Sequence, residues 1–251
     1  MLEAQYTQAA TFKKVIDALK DLVTDVTFEA GPDGLYMQAM DASHVALISL
    51  TLTREGFFVY NCERPVAIGV SMSNLSKIIK CAENDDSIIF RVDQEATYLN
   101  LIFEGKKDDK VSEFHLNLLT MDSEHLEIPE EAYPATITLP TAELASICRE
   151  LSQMNDTIAL DIANKRVTFR VDGDIGKGSI TLKDGTSSRA NISADQEVSV
   201  SYAVRYLNLF CKSATVAPSA SLSVGEAQPM IMQLAFELGV LKYYLAPKVD
   251  D

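Results

Sequence analysis

Apolar positions recur along this chain at two spacings, and the two alternate in a regular order. Four stretches carry the 3–4 spacing of one buried helix face. Residues 11–23 place Phe12, Val15, Ile16, Leu19 and Val23 on such a stripe. Residues 74–82 do so with Leu75, Ile78 and Ile79, and residues 141–154 with Leu144, Ile147, Cys148 and Leu151. The fourth stretch is 204–214, with Leu207, Phe210, Cys211 and Ala214. Thr141 follows Pro140 and is expected to cap the third helix. Nearly everything between reads as strand, most clearly 45–52, 88–92, 98–103, 114–118, 136–139, 167–171, 179–182, 198–202, 221–224 and 230–236. Turns are marked by Pro32-Asp33-Gly34, Asn84-Asp85-Asp86, Asp172-Gly173 and Asp184-Gly185.

The order repeats. The helix at 11 returns at 141 and the helix at 74 returns near 204. The strand ending Leu101-Ile102-Phe103-Glu104 returns as Leu234-Ala235-Phe236-Glu237. A common offset of about 130 residues predicts a duplicated unit. The expected division is a first domain over 1–117, a connecting linker over 118–134 and a second domain over 135–251. The linker stretch is acidic and holds Pro129 and Pro134, as a surface connection should.

Composition adds a puzzle. With 47% hydrophobic and 23% charged residues the chain is expected to fold. The first ten residues contain an acid and no long apolar run, which speaks against a secretory leader. No apolar run is long enough to span a membrane. The cysteines Cys62, Cys81, Cys148 and Cys211 are scattered, which favours free thiols over a disulfide or zinc framework. The formal net charge is −14, which taken alone argues against nucleic acid. The distribution reverses that. The four helical stretches carry eight basic residues (Lys13, Lys14, Lys20, Lys77, Lys80, Arg149, Arg205 and Lys212) against four acids (Asp17, Asp21, Glu143 and Glu150), a net +4 that leaves −18 elsewhere. Such cations commonly solvate an amphipathic helix. They can equally offer sequence-independent, salt-sensitive contact to phosphates. No aromatic ladder accompanies them, so base stacking is not indicated.

Catalytic signatures are missing. His44, His115 and His125 stand in separate contexts, and no nucleophile elbow, zinc-protease pair or phosphate loop occurs. The segment Gly173-Asp174-Ile175-Gly176-Lys177-Gly178 is rich in glycine but leads into Ser179-Ile180-Thr181-Leu182, a strand. A phosphate loop leads into a helix, so a turn or bulge is expected there. Asp85-Asp86 and Asp108-Asp109 read as solvated turn residues. The Asn155 and Asn191 glycosylation patterns are idle without a leader.

Longer motifs carry a resemblance. Met40-Asp41-Ala42-Ser43-His44-Val45, the run from Cys62-Glu63-Arg64 through Lys77-Ile78-Ile79-Lys80-Cys81, and Leu241-Lys242-Tyr243-Tyr244-Leu245-Ala246-Pro247-Lys248 are similar to the proliferating cell nuclear antigen family, the eukaryotic DNA sliding clamps. Ile147-Cys148-Arg149 and Arg205-Tyr206-Leu207-Asn208 add to it, and the likeness covers essentially the whole chain. The resemblance implies an α+β DNA clamp fold of two similar domains, with antiparallel sheets outside and four helices lining an inner channel. Three copies would form a homotrimeric ring. It implies a processivity factor without catalytic residues, cofactor or metal, acting in the nucleus.

By the same resemblance, Lys13, Lys14, Lys20, Lys77, Lys80, Arg149 and Lys212 face double-stranded DNA. Closure is head to tail: the strand over 110–117, with Lys110, Phe114 and Leu116, pairs with Gly176–Lys183 of the next copy, with Lys177, Ile180 and Leu182. The alternation of Phe114, Leu116 and Leu118 suits this, although a pair internal to one domain is the ordinary alternative. A peptide with an apolar plug is expected to dock under the linker, on Met40, His44, Val45, Leu47, Leu126, Ile128, Pro129, Pro229, Tyr244, Ala246 and Pro247. Leu126 and Ile128 could also merely pin the linker. DNA polymerases, a flap endonuclease, a DNA ligase and a clamp loader are the implied partners, in replication, mismatch repair and translesion synthesis. A subunit of a heterotrimeric checkpoint-type clamp is the alternative, and a metal-dependent nuclease a distant third. Departures from the family pattern fall at Asn164, where the modified lysine is expected and Lys165 is adjacent, and at Asn61, Ser146 and Gln153, which replace common basic residues.

Overall fold

The computed structural model describes residues 1–93, 96–106, 110–121, 126–128, 132–185 and 190–248. The chain begins β1 (Leu2–Tyr6), α1 (Ala9–Leu19), β2 (Asp25–Gly31), β3 (Gly34–Met40), β4 (Ala46–Thr53), β5 (Val59–Cys62), β6 (Val66–Ser71), α2 (Met72–Ile79), β7 (Ser87–Val92), β8 (Tyr98–Glu104) and β9 (Val111–Asn117). The same succession then starts again: β10 (Ala135–Pro140), α3 (Thr141–Leu151), β11 (Thr157–Ala163), β12 (Arg166–Gly173), β13 (Gly176–Lys183), β14 (Asn191–Ala194), β15 (Val198–Ala203), α4 (Val204–Phe210), β16 (Ser219–Val224), β17 (Met230–Phe236) and β18 (Gly239–Leu245). The duplication expected from the offset is therefore present element by element.

Two compact units result. The first comprises Met1–Ala42, Ile48–Leu126 and Phe236–Leu241; the second comprises Ser43–Leu47, Glu127–Ala235 and Lys242–Asp251. Within the first unit one sheet runs β5-β1-β7-β8-β9 and another includes β4-β3-β2-β6. Within the second, the corresponding orders are β14-β10-β16-β17 and β13-β12-β11-β15. The ladders are antiparallel, for example Leu101↔Phe114 between β8 and β9 and Phe169↔Ile180 between β12 and β13. Most strands alternate more and less buried positions, as β11 alternates buried with half-buried residues, so each sheet turns one face to its core.

The helices form because their apolar stripes have a sheet to cover. α1 buries Phe12, Val15, Ile16 and Leu19; α3 buries Leu144, Ile147, Cys148 and Leu151. Each fully buried large aliphatic or aromatic side chain contributes about 1.5–3 kcal/mol relative to exposure. The helix starts are tied down in the same way in both units. The N–H groups of Ala9 and Ala10 donate to the carbonyls of Asp86 and Asn84, in the turn before β7. The Thr141 N–H donates to Pro218 O, in the turn before β16. Likewise Met72 at the start of α2 donates to Thr24 O, and Val204 at the start of α4 donates to Asp156 O. Orphan donors at helix N-termini are thus satisfied by tertiary carbonyls instead of side-chain caps.

Several expectations shift. Thr141 is the first helical residue and not the cap; its hydroxyl donates to the buried Ala217 carbonyl at 2.9 Å. α1 starts at Ala9 and ends at Leu19, earlier than its periodicity predicts. The fourth helix stops at Phe210 and continues as a 3-10 turn over Cys211–Thr215. The glycine-rich segment is a hairpin: Gly173 faces Gly176 across a two-residue turn, Asp174-Ile175, and the chain runs on as β13. Strands β1, β2, β3, β5, β6, β11, β14 and β18 join those read from the sequence.

Candidate DNA-facing, assembly and partner surfaces

On α1 the buried stripe leaves Lys13, Lys14, Asp17 and Lys20 on the other side. They are not equivalent. Lys14 is exposed. The Lys13 ammonium donates to Ala82 O and, at 3.1 Å, to Asn84 Oδ1, so it ties α1 to the turn after α2. Lys20 pairs with Asp17 at 2.6 Å, one helical turn away, and Lys80 comes within 3.9 Å of the same carboxylate. The hydrogen bond to Asp17 holds the Lys20 pKa above its ordinary value. α2 buries Met72, Leu75, Ser76 and Ile79, which leaves Lys77 and Lys80 exposed. Among the described residues no ion pair reaches Lys14 or Lys77.

The second unit offers fewer cations. Arg149 is exposed near the end of α3, where its guanidinium donates to Ser146 Oγ at 3.1 Å. Ser146 in turn donates to Glu150 at 2.8 Å. Arg205 lies over the Tyr206 ring, 4.7 Å from its centroid, and donates to the Tyr206 hydroxyl. Lys212 is exposed on the 3-10 turn. Of the seven cations named from the sequence, Lys14, Lys77, Lys80, Arg149 and Lys212 are exposed; Lys13 and Lys20 are half-buried. Asp17 is thus seated between Lys20 and Lys80, a placement that its position in the sequence does not reveal.

The strands expected to close an assembly are each at the edge of a sheet. β9 pairs with β8 and β13 with β12, each within its own unit, and among the described residues neither has a second strand beside it. Lys110 precedes β9 and pairs with Glu83 at 3.5 Å. Phe114 is half-buried with its ring centroid 5.6 Å from that of Phe103, and Leu116 is buried. On the other face of β9, Glu113 accepts from Asn100 at 2.6 Å and His115 stacks on Tyr98 at 4.3 Å. The Asn100 bond and then His115 hold the Glu113 carboxyl below its usual range. In β13, Ile180 and Leu182 are half-buried on one face while Lys177, Ser179, Thr181 and Lys183 are exposed on the other. Lys177 pairs with Asp172 at 2.6 Å. A Cβ at Gly178 would come within 2.7 Å of Met154 Sδ, whose side chain, in the turn after α3, lies against the strand there.

The residues named for partner peptides divide between the units. In the first, Met40 ends β3 and is 36% exposed, and Leu126 is 42% exposed. The Gln38 side-chain amide clasps Leu126, donating to its carbonyl at 3.0 Å and accepting from its N–H at 2.7 Å. In the second, His44 is exposed with φ 56°, Val45 and Leu47 are half-buried, and the Ala246 N–H donates to Val45 O at 3.1 Å. Tyr244 is nearly buried, Pro229 and Ala246 are exposed, and Ile128 and Pro247 are half-buried. The Tyr133 hydroxyl donates to Pro229 O at 2.8 Å. Pro129 lies outside the described residues. Gln38 and Tyr133 were not singled out from the sequence; only their partners, 88 and 96 positions away, mark them.

Among the described residues no group of three or more His, Cys, Asp or Glu side chains could hold a metal. No helix is long and apolar enough to cross a membrane. Residues 1–126 match the family model described as the N-terminal domain of proliferating cell nuclear antigen. Residues 127–248 match the model described as its C-terminal domain.

Proposed function

The chain belongs to the proliferating cell nuclear antigen family of DNA sliding clamps, and we propose that it closes into a homotrimeric ring around duplex DNA and tethers replication and repair proteins there. The observation that carries this is the pair of complementary edges. Among the described residues, β9 in one unit and β13 in the other each leave a row of backbone donors and acceptors without a strand neighbour, and Phe114 and Leu116 of β9, like Ile180 and Leu182 of β13, lie on one face with exposed polar side chains on the other. A heterologous contact of β9 with β13 of the next copy uses both edges and closes after three subunits. The pleat restricts the register. Residues opposite each other in an antiparallel ladder share a face, so Phe114 stands opposite one of Gly176, Gly178, Ile180 and Leu182. A shift by one residue would set Phe114 on the lysine-bearing face of β13.

Within the ring Lys14, Lys77, Lys80, Arg149 and Lys212 meet phosphates, with Lys13 and Lys20 behind them. Contacts of this kind carry no base information and are lost to salt, which lets a closed ring slide. The remaining −18 of charge repels DNA from every other surface. The family's role is that of a non-catalytic processivity factor, with polymerases as partners. We assign the partner peptides of polymerases, a flap endonuclease, a ligase and the loader to the residues named for them in each unit: Met40 and Leu126 in the first, and His44, Val45, Leu47, Ile128, Pro129, Pro229, Tyr244, Ala246 and Pro247 in the second. Nuclear action follows from that role.

Self-assembly separates this reading from the checkpoint-type alternative. The purified chain alone should show three times its 27.6 kDa mass by sedimentation equilibrium and should raise the processivity of a replicative polymerase. A chain that stays monomeric until two different subunits are supplied would favour the heterotrimeric clamp.

A further inference from the structure

The last described segment of the chain, residues 246–248, contains no strand, yet it is fastened at three points within the second unit. The Ala246 N–H donates to Val45 O at 3.1 Å, and the Lys248 N–H donates to Ser201 O at 2.8 Å. Pro247, between them, has no N–H to leave unsatisfied. The third point is a side chain. Lys248 Nζ donates to the Thr157 hydroxyl, Thr157 donates to Asp156 Oδ1 at 2.8 Å, and Lys248 Nζ lies 3.7 Å from the same carboxylate.

The base of this relay is itself fixed. The Asp156 carbonyl accepts the first N–H of α4, and the Asp156 N–H donates to Asn155 Oδ1 at 2.6 Å. Asn155 reaches across to the Asp172 carbonyl. The Thr157 hydrogen bond and then the Lys248 charge hold the Asp156 carboxyl below its usual range, as a charged acceptor in the relay requires. Lys248 therefore bonds to a rigid corner of the unit while Ala246 remains exposed and Pro247 half-exposed.

We propose that Lys248 is a positioning residue, which anchors on Thr157 and Asp156 and so holds Ala246 and Pro247 as a preformed seat for partner peptides. The proposal rests on the partner-surface reading above. An unanchored segment of this kind would have to be ordered during binding, at an entropic cost for each residue fixed. The two backbone bonds supply part of that order in advance, and the lysine supplies the rest. The Lys248 pair is partly exposed, so its contribution is small and salt-sensitive.

The test is fluorescence anisotropy of a fluorescein-labelled synthetic peptide with an aliphatic and aromatic plug, titrated with the full chain. Lys248→Met should weaken binding about threefold at low salt, and the gap should close between about 50 and about 500 mM salt. Lys248→Arg should restore the affinity. Thr157→Val with Asp156→Asn should weaken it as Lys248→Met does. Melting temperature and native mass should not change in any of these proteins. Equal affinity for wild type and Lys248→Met would overturn the proposal. So would a full-strength response from the Thr157→Val/Asp156→Asn protein, since Lys248 would then touch the peptide directly, and so would a loss of affinity that tracks a fall in melting temperature. A wild-type chain that binds no peptide at all would instead remove the partner-surface reading.

Discussion

The two units repeat each other in element order and sheet order, and differ in how they finish the same parts. The hairpin after the first helix is one example. In the first unit it turns through Pro32-Asp33 with Gly31 facing Gly34, and Gly34 has φ 142° where a Cβ would strike Leu52 O. In the second it turns through Asn164 and Lys165, at φ 52° and 57°, with Ala163 facing Arg166. The cores differ too. The first unit encloses an apolar cavity of about 40 Å³, lined by Phe12, Val15, Leu75 and Phe90 among others. The second holds a fully buried hydroxyl beneath its helices: Ser213 is hydrogen-bonded to Tyr243, whose ring stacks on Phe210 at 4.4 Å. Burial pushes the Tyr243 hydroxyl's pKa up. Cys148 and Cys211 meet there as well, and that contact together with burial pushes the Cys148 thiol up. The helix cations divide unevenly, with Lys13, Lys14, Lys20, Lys77 and Lys80 in one unit and Arg149, Arg205 and Lys212 in the other. The repeat thus preserves strand pairing and helix seating, while turns, buried polar groups and surface charge have diverged.

The largest expected effect tests the two edges as halves of one interface. Phe114→Asp on β9 or Ile180→Asp on β13 should each, alone, reduce the native mass to that of a monomer, because a buried unpaired carboxylate costs several kcal/mol. Val59→Asp, on the far edge of the same sheet as β9, should leave the mass unchanged. Equal loss from all three would mean that the edges are not distinct.

A smaller effect separates the helix layers. Lys14→Ala with Lys77→Ala should lower the slope of log affinity against log salt by up to roughly 5 for duplex DNA, because the pair occurs three times in the ring and each phosphate contact is worth about 0.9. Arg149→Ala with Lys212→Ala should do the same, whereas Lys13→Ala should change it little because that ammonium is committed to Ala82 and Asn84. Asp17→Asn should tighten binding by releasing Lys20 and Lys80. Titrations of a fluorescent duplex at several salt concentrations check all four.

Stability should separate the cores next. Ser213→Ala leaves the buried Tyr243 hydroxyl without its partner and should cost about 1–3 kcal/mol by urea unfolding. Adding Tyr243→Phe should recover most of that loss. The smallest effect concerns the turns: Lys165→Gly relieves a lysine held at positive φ and should stabilise by about 0.5–1 kcal/mol.

Much of this was legible in the sequence because it depends on period. The helices follow their stripes, and the edge strands follow their alternation. What depends on distant partners was not. Cys211-Lys212-Ser213-Ala214 continues the apolar spacing of α4, yet it winds as a 3-10 turn with the Ser213 hydroxyl bonded to Tyr243. Thr141 looked like a cap because Pro140 precedes it, but its hydroxyl is drawn to Ala217, 76 positions on. β5 is four residues long and β2 begins on an aspartate and ends on a glycine, so neither announces itself. At the candidate surfaces the cations could be counted, but not the choice Asp17 makes between them. The Gln38–Leu126 clasp has no local signature either.

The central claim is topological: a closed ring around duplex DNA. Its most direct test loads the labelled chain onto a nicked circular plasmid with a clamp loader, and then isolates the DNA in high salt. The account predicts that the chain stays with the circle and is lost once a single cut makes the plasmid linear. Equal retention on circular and linear DNA, or none on either, would contradict it.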